Sequence, residues 1–288
     1  MGKEYRGLRA RIEAELGFDV RGIRPLSGGS VAQVHLVELS DGSRVVAKQD
    51  REPGGQLAVE GQMLHYLAER SSLPVPAVLL SDDDILLLEF LPGANRFTAR
   101  SQRHAAELLA ELHGITAGAY GFDGPTLIGG LHQPNPWTQS WLAFFREQRL
   151  LYMGRQALDA GRLPAQVFGR LETFAGRLER WLSEPDGPAL IHGDAWGGNV
   201  LATDDRITGF LDPAIYYADP EIELAFTTLF GTFDDSFFSH YQEIRPIRPG
   251  FMSERREIYN LYPLLVHVRL FGGGYVESVS GTLADFGH

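Results

Sequence analysis

Residues 190–201 read LIHGDAWGGNVL, and residues 206–213 read RITGFLDP. Two apolar, strand-like ends enclose His192, Asp194 and Asn199 in a loop of mostly small residues, and a second strand-like run ends on Asp212. Asp204 and Asp205 separate NVLAT from RITGFLD and predict a hairpin turn between them. A polar turn would account for the composition, but the order of the polar groups says more. His192, Asp194 and Asn199 fit H-x-D-x-x-x-x-N, in which the aspartate accepts a proton from an attacking hydroxyl and the asparagine, five residues on, holds Mg2+. Asp212, thirteen residues after Asn199, then falls where the metal-binding aspartate of such a kinase-type site belongs. His192 reads as a hydrogen-bonder that shapes the loop rather than as an acid or base.

Working outward, the loop needs a cation for the non-transferred phosphates, and Lys48 qualifies. Of 26 basic residues only Lys3 and Lys48 are lysines, so a lysine ending the strand-like run RVVAKQ marks a place that wants a compact ammonium instead of a planar guanidinium. Twelve residues on, Glu60 shares a helical face with Leu57, Met63, Leu64 and Leu67, which turns its carboxylate toward the apolar side. A strand lysine paired to a helix glutamate is how protein kinases hold the α- and β-phosphates of ATP. Gly28, Gly29 and Ser30 lie between strand-like segments, where backbone N–H groups can approach phosphate oxygens, although a plain hairpin turn explains them as well. Neither G-x-G-x-x-G nor a Walker motif is present. The segment Glu89, Phe90, Leu91 joins two compositionally different halves, and its peptide groups can read an adenine edge.

Those halves divide the chain. Before residue 91 the pattern predicts a helix over 4–16, strands over 23–39 and 44–49, a helix over 56–70, and two strands within 73–91 about an acidic turn. After it the pattern turns helical, with a helix over 101–114 ending on Gly114 and another over 164–184 carrying the stripe Val167, Leu171, Phe174, Leu178 and Trp181, which reads as core. The expected fold is α+β and bilobal: a β-rich N-terminal nucleotide-binding lobe with one key helix (1–91) and a mainly helical catalytic and substrate-binding lobe (92–288).

Composition narrows the partners. The 288 residues carry no cysteine, which removes disulfides, thiolate metal sites and thiol nucleophiles together. A formal charge of −11 disfavours nucleic acid and suits neutral or cationic partners. The charged start MGKEYRGLRARIEAELG and the lack of any apolar run near the roughly 18 residues of a membrane span predict a cytoplasmic protein with no membrane partner.

The HGD form of the loop, with LDP after the hairpin, resembles the aminoglycoside phosphotransferase-like kinases. More narrowly, LIHGDAWGGNV followed by FLDPAIYYADPEIELAFTTLFG resembles the fructosamine (ketosamine) kinases, with Asp194, Trp196, Asn199, Asp212, Tyr217, Glu221 and Glu223 at the matching positions. Two departures stand out. Ala195 replaces a larger apolar residue, and Ser30 stands where some relatives carry a cysteine, so thiol-based regulation does not carry over.

The resemblance implies a protein-kinase-like fold, ATP and Mg2+ as cofactors, and phosphorylation of a sugar hydroxyl on a small glycated amine or a glycated protein lysine. It implies Asp194 as base, Asn199 and Asp212 as metal ligands, and Gly28, Gly29, Ser30, Lys48, Glu60, Glu89 and Leu91 around the nucleotide. For the sugar-amine it offers Trp196 as an aromatic wall, with Asp219 and Glu223 among the nearby carboxylates. A kinase for an aminoglycoside, choline or homoserine stays open, as does a nucleotide-binding pseudokinase.

Overall fold

The computed structural model describes residues 5–26, 32–50 and 55–288, so Gly28, Gly29 and Ser30 lie outside the described residues. Helix α1 (Arg6–Leu16) buries Leu8 and Ile12 and stops at Gly17, whose φ of 72° places it in the left-handed region common one residue past a helix end. An antiparallel sheet follows, built from β1 (Val20–Pro25), β2 (Gln33–Leu39), β3 (Arg44–Gln49), β4 (Val78–Ser81) and β5 (Ile85–Glu89) in the order β1-β2-β3-β5-β4. The expected stretch 23–39 is thus two strands.

Strand alternation sorts the side chains of this sheet onto two faces. Val45, Ala47, Ile85 and Leu87 pack with Leu8 and Ile12 of α1. Val46, Leu86 and Leu88 pack on the other face, with Leu57 and Leu64 of helix α2 (Leu57–Arg70). Lys48 shares the parity of Val46 and therefore faces α2. Four apolar side chains of α2 are buried, Leu57, Met63, Leu64 and Leu67. At roughly 1.5–3 kcal/mol each they set the position of the helix, and its polar contacts only choose among nearby placements. Gly61 permits the close approach to the sheet, because a Cβ there would fall 2.1 Å from Ser81 Oγ.

Met63 and Leu67 also enter the larger core of the second part of the chain. That part opens with α3 (Ala99–Leu112), capped by Thr98 and Ser101 in a reciprocal box. It ends two residues before Gly114, whose amide bonds to Glu111 O at 2.9 Å. The short hairpin β6 (Thr126–Ile128) and β7 (Leu131–Gln133) precedes α4 (Trp141–Phe144), a π-helical stretch over Phe145–Leu151, α5 (Tyr152–Asp159) and α6 (Ala165–Ala175). The helix expected over 164–184 breaks at Gly176 into a short 3-10 turn, yet its stripe survives: Leu171, Phe174 and Leu178 are buried and Trp181 stacks on Phe174 at 5.0 Å.

Two further strand pairs carry the loops of interest. β8 (Ala189–Ile191) pairs with β11 (Tyr216–Ala218), and β9 (Val200–Thr203) with β10 (Arg206–Phe210), the latter through the expected turn in which Asp204 takes φ 52°. Helices α7 (Glu221–Leu229), α8 (Asp235–Ile244), α9 (Arg256–Phe271) and α10 (Gly274–Asp285) complete the chain. The fold is α+β, a five-stranded antiparallel sheet followed by a mainly helical part. Among the described residues no helix is long and apolar enough to cross a membrane.

Candidate active site

Lys48, fixed on β3 opposite Leu86 and facing α2, places its Nζ 2.6 Å from Glu60 Oε1 and in contact with Asp212 Oδ1. Burial opposes its charge, but attraction to Asp212 and Glu60 outweighs that and holds the ammonium above its ordinary value. Burial pushes the Glu60 carboxyl up while Lys48 pulls it down, and the net direction is upward. One buried ammonium thus serves two carboxylates drawn from positions 164 and 12 residues away. A third carboxylate, Asp194, feels the charge of Asp212 closely enough to be pushed further up, after burial itself. The locus is short of positive charge, which favours a cation.

The loop after β8 is built by backbone anchoring. Glu223, on the first turn of α7, accepts the amides of His192 at 3.1 Å and Gly193 at 2.7 Å, and its Oε2 lies 2.8 Å from His113 Nε2. Burial raises the Glu223 carboxyl, but the hydrogen bonds from His113 and Gly193 win and hold it below its usual value. Gly193 has φ 84°, and a Cβ there would fall 2.1 Å from Ala214 O, so only glycine lets the loop lie against the segment after Asp212. Asp194 N donates to His192 Nδ1 at 3.3 Å. His192 is fully buried and its pKa is lowered chiefly by desolvation, so its ring is a neutral brace for the loop.

Asp194 and Asn199 meet directly. Asn199 Nδ2 donates to Asp194 Oδ2 at 2.8 Å and to Asp194 O at 3.1 Å, which engages the amide nitrogen and leaves Oδ1, without a hydrogen-bond partner among the described residues, as the donor atom. At the far end of the β9–β10 hairpin Leu211 N donates to Asn199 O at 2.8 Å, bringing Asp212 back beside Asn199. Asp212 is exposed and holds φ 52°, a conformation uncommon outside glycine, asparagine and aspartate. An amide oxygen and a carboxylate are the donors a hard cation such as Mg2+ takes, since it fills the rest of its octahedron with phosphate and water oxygens. Among the described residues no group of three or more His, Cys, Asp or Glu forms a protein-only metal cage, as that mode of binding requires none.

The segment Glu89–Leu91 leaves β5 for the second part of the chain. Glu89 N bonds to Ala77 O at 2.8 Å, whereas the Leu91 amide donates to no described group. Trp196, two residues past Asp194, is half-buried and meets Phe230 at 5.5 Å between ring centroids. Phe230 continues to His267 at 5.1 Å, and His267 to Tyr275 at 4.8 Å. This aromatic track gives no periodic signal in the sequence, because its members come from the α7 end, α9 and α10.

Asp219 and Glu223, expected near an acceptor amine, are instead 1% and 2% exposed, with every carboxylate oxygen engaged. Asp219 accepts Glu221 N at 3.0 Å, Arg248 Nη2 at 2.6 Å and Tyr259 OH at 2.8 Å, and Glu223 is spent on the loop amides and His113. The loop has further braces that spacing alone does not reveal. Thr232 Oγ1 accepts Gly197 N at 2.8 Å, and Asn95 Nδ2 donates to Val200 O at 2.9 Å.

Known proteins resemble this chain in sequence and in fold. A family model described as fructosamine kinase matches residues 9–286. The chain is 33% identical over 263 residues to a probable ketoamine kinase of Vibrio parahaemolyticus, with 90% of each covered. A crystal structure of a candidate fructosamine-3-kinase from Thermobifida fusca superposes with a TM-score of 0.85 at 31% identity, over 96% of this chain and 98% of that one. An aminoglycoside phosphotransferase solved in ternary complex with ADP and hygromycin B shares the fold, with a TM-score of 0.65 at 16% identity over 96% of both chains.

Proposed function

Because the chain belongs to the fructosamine kinase family, we propose that it transfers the γ-phosphoryl group of ATP to a sugar hydroxyl of ketoamines, the fructosamine or ribulosamine adducts of amines, including glycated lysine. The observation that carries this reading is the convergence of Lys48, Glu60 and Asp212 beside the Asp194–Asn199 pair. Phosphoryl transfer asks little covalent chemistry of a protein; it asks for an in-line acceptor and for neutralised oxygens.

Each residue then has a task. Lys48, steadied by Glu60, neutralises the phosphates that stay with ADP. Asn199 and Asp212 would hold Mg2+, which when bound screens the phosphate oxygens and orients them. Asp194 takes the proton of the acceptor hydroxyl as its oxygen bonds to the γ-phosphorus and the bond to the β–γ bridging oxygen breaks, leaving a sugar phosphate and ADP. Its raised pKa suits a base that must gain a proton. The Glu89–Leu91 peptide groups read the adenine edge, and residues 1–91 form the nucleotide lobe.

Trp196 and the track through Phe230 and His267 offer the acceptor an apolar wall next to Asp194. The formal charge of −11 suits an acceptor whose secondary amine is cationic near neutral pH. ATP consumption with a panel of acceptors tests the reading: fructosyl-lysine and ribulosyl-lysine should be turned over. Turnover of kanamycin, choline or homoserine with none on any glycated amine would overturn the acceptor, and no ATP consumption with any would overturn the kinase.

A further inference from the structure

Tyr66 lies on α2 six residues after Glu60, and Tyr217 lies in β11 five residues after Asp212. Their hydroxyls are 2.9 Å apart, across 151 residues of sequence. At about 100° per residue Tyr66 is turned roughly 120° from Glu60, on the side where Met63 enters the larger core. Phe122 meets its ring edge-on at 4.8 Å, and the Arg70 guanidinium lies 5.5 Å from the ring centre. Tyr217 is 5% exposed, and its main chain is held twice: it pairs with Leu190 of β8 and exchanges hydrogen bonds of 2.9 and 3.0 Å with Gly121. β8 runs straight into His192 and Asp194.

These contacts close a ring. Lys48 binds Glu60, α2 carries Glu60 to Tyr66, Tyr66 binds Tyr217, the chain leads from Tyr217 back to Asp212, and Asp212 binds Lys48. Three polar contacts and two short covalent spans thus connect the sheet, the helix and the metal-binding segment. In the reaction proposed above, on which this reading rests, Asp212 turns to the cation and Lys48 to the phosphates, so the Lys48–Asp212 contact must open. The Tyr66–Tyr217 bond is then the polar link, of the three in the ring, that still ties α2 to the segment bearing Asp212.

We propose that the Tyr66–Tyr217 hydroxyl pair is a positioning element of the nucleotide site, holding α2 where Glu60 can keep Lys48 on the phosphates. Neither tyrosine touches a reacting atom; the pair acts through Glu60 and Lys48. Phenylalanine at either position preserves the ring and its packing and removes one hydroxyl, so Tyr66→Phe, Tyr217→Phe and the double variant isolate the bond. Affinity for Mg·ATP is read by calorimetric titration of the full chain, and turnover of fructosyl-lysine gives KM for each substrate.

Each single variant should bind Mg·ATP about three- to tenfold more weakly, the range of one net hydrogen bond, with KM for fructosyl-lysine within about twofold of wild type. The double variant should lose little more than either single one, since both remove the same bond. A bond that merely stabilises the fold would lower the unfolding temperature and leave Mg·ATP affinity at the wild-type value; that result overturns the proposal, as do losses that multiply in the double variant. A wild-type chain that binds Mg·ATP but phosphorylates no glycated amine would fail the acceptor assignment instead, and the calorimetric comparison would still decide on the tyrosine pair.

Discussion

Asp194→Asn separates the chemistry of the site from its stability, and the two should move in opposite directions. The substitution keeps the shape of the side chain and an oxygen to accept the Asn199 amide, now at 2.8 Å, while removing the carboxylate proposed as the proton acceptor. General-base assistance is typically worth about 10²–10⁴ in rate. kcat for a ketoamine should therefore fall by that factor, ~3–5 kcal/mol of transition-state free energy, with Mg·ATP affinity nearly unchanged. Stability follows from the electrostatics. Burial first, and the charge of Asp212 second, raise the Asp194 carboxyl well above its ordinary value, with the Asn199 hydrogen bond opposing them. A carboxyl whose folded pKa lies above its unfolded one favours the fold at low pH, and that contribution is lost as pH rises through the folded pKa. Asparagine does not titrate. The nucleotide-free variant should therefore melt above wild type at pH 8, and the gap should close as pH falls toward about 4. Coupled ADP release with fructosyl-lysine reads the first effect, and unfolding temperature from pH 4 to 8 reads the second. Wild-type turnover would remove Asp194 from the role of base, and a variant that melts lower at pH 8 would refute the electrostatic reasoning.

Lys48→Arg should raise KM for ATP about tenfold or more, because a planar fork cannot replace a point charge wedged between Glu60 and Asp212; near-normal ATP kinetics would return Lys48 to a merely structural place. Trp196→Ala should raise KM for the ketoamine by about tenfold and KM for ATP much less, and equal effects on both would strip Trp196 of its place at the acceptor. Glu223→Gln turns an amide NH2 toward the N–H donors of His192 and Gly193. One unsatisfied buried donor costs ~1–3 kcal/mol, so the unfolding temperature at pH 7 should drop by roughly 2–5 °C. Since the Glu223 pKa is held below 4.5 in the fold, that deficit should persist at all pH above 4.5 and shrink only as pH falls through the depressed value. An unchanged melting curve would mean the loop does not depend on this carboxylate.

What the sequence displays, and what it hides, follows from the range of the interactions involved. Lys48 and Glu60 are legible because the parity of β3 and the turn of α2 are local properties, and each aims its side chain at the same gap. The hairpin between Asn199 and Asp212 is legible for the same reason. Asp219 and Glu223 are not: a D-x-E-x-E run reads as solvated acid until Arg248, Tyr259 and His113 arrive from elsewhere in the chain to enclose it. The break of the 164–184 helix at Gly176 is a similar case, since Leu178 and Trp181 keep their apolar contacts without helical geometry. Tyr66, Phe230 and His267 carry no spacing signal, because each acquires its neighbours only through tertiary contact.

The β9–β10 hairpin behaves as a caliper. Asn199 stands at the mouth of one arm and Asp212 at the mouth of the other, and the Leu211–Asn199 hydrogen bond of 2.8 Å closes the jaws. The gap between the two oxygen donors is therefore set chiefly by main-chain hydrogen bonds between residues close in sequence, with outside anchors where Phe210 N donates to Pro74 O and Ala202 pairs with Ala94. Lys48, set on β3 by strand pairing, meets that gap only by a long-range contact, since it and Asp212 lie 164 residues apart. One half of the site is gauged mostly locally and the other depends on a contact between distant residues, so thermal loosening should first be felt as a lysine displaced from a pair of oxygen donors whose own spacing remains intact.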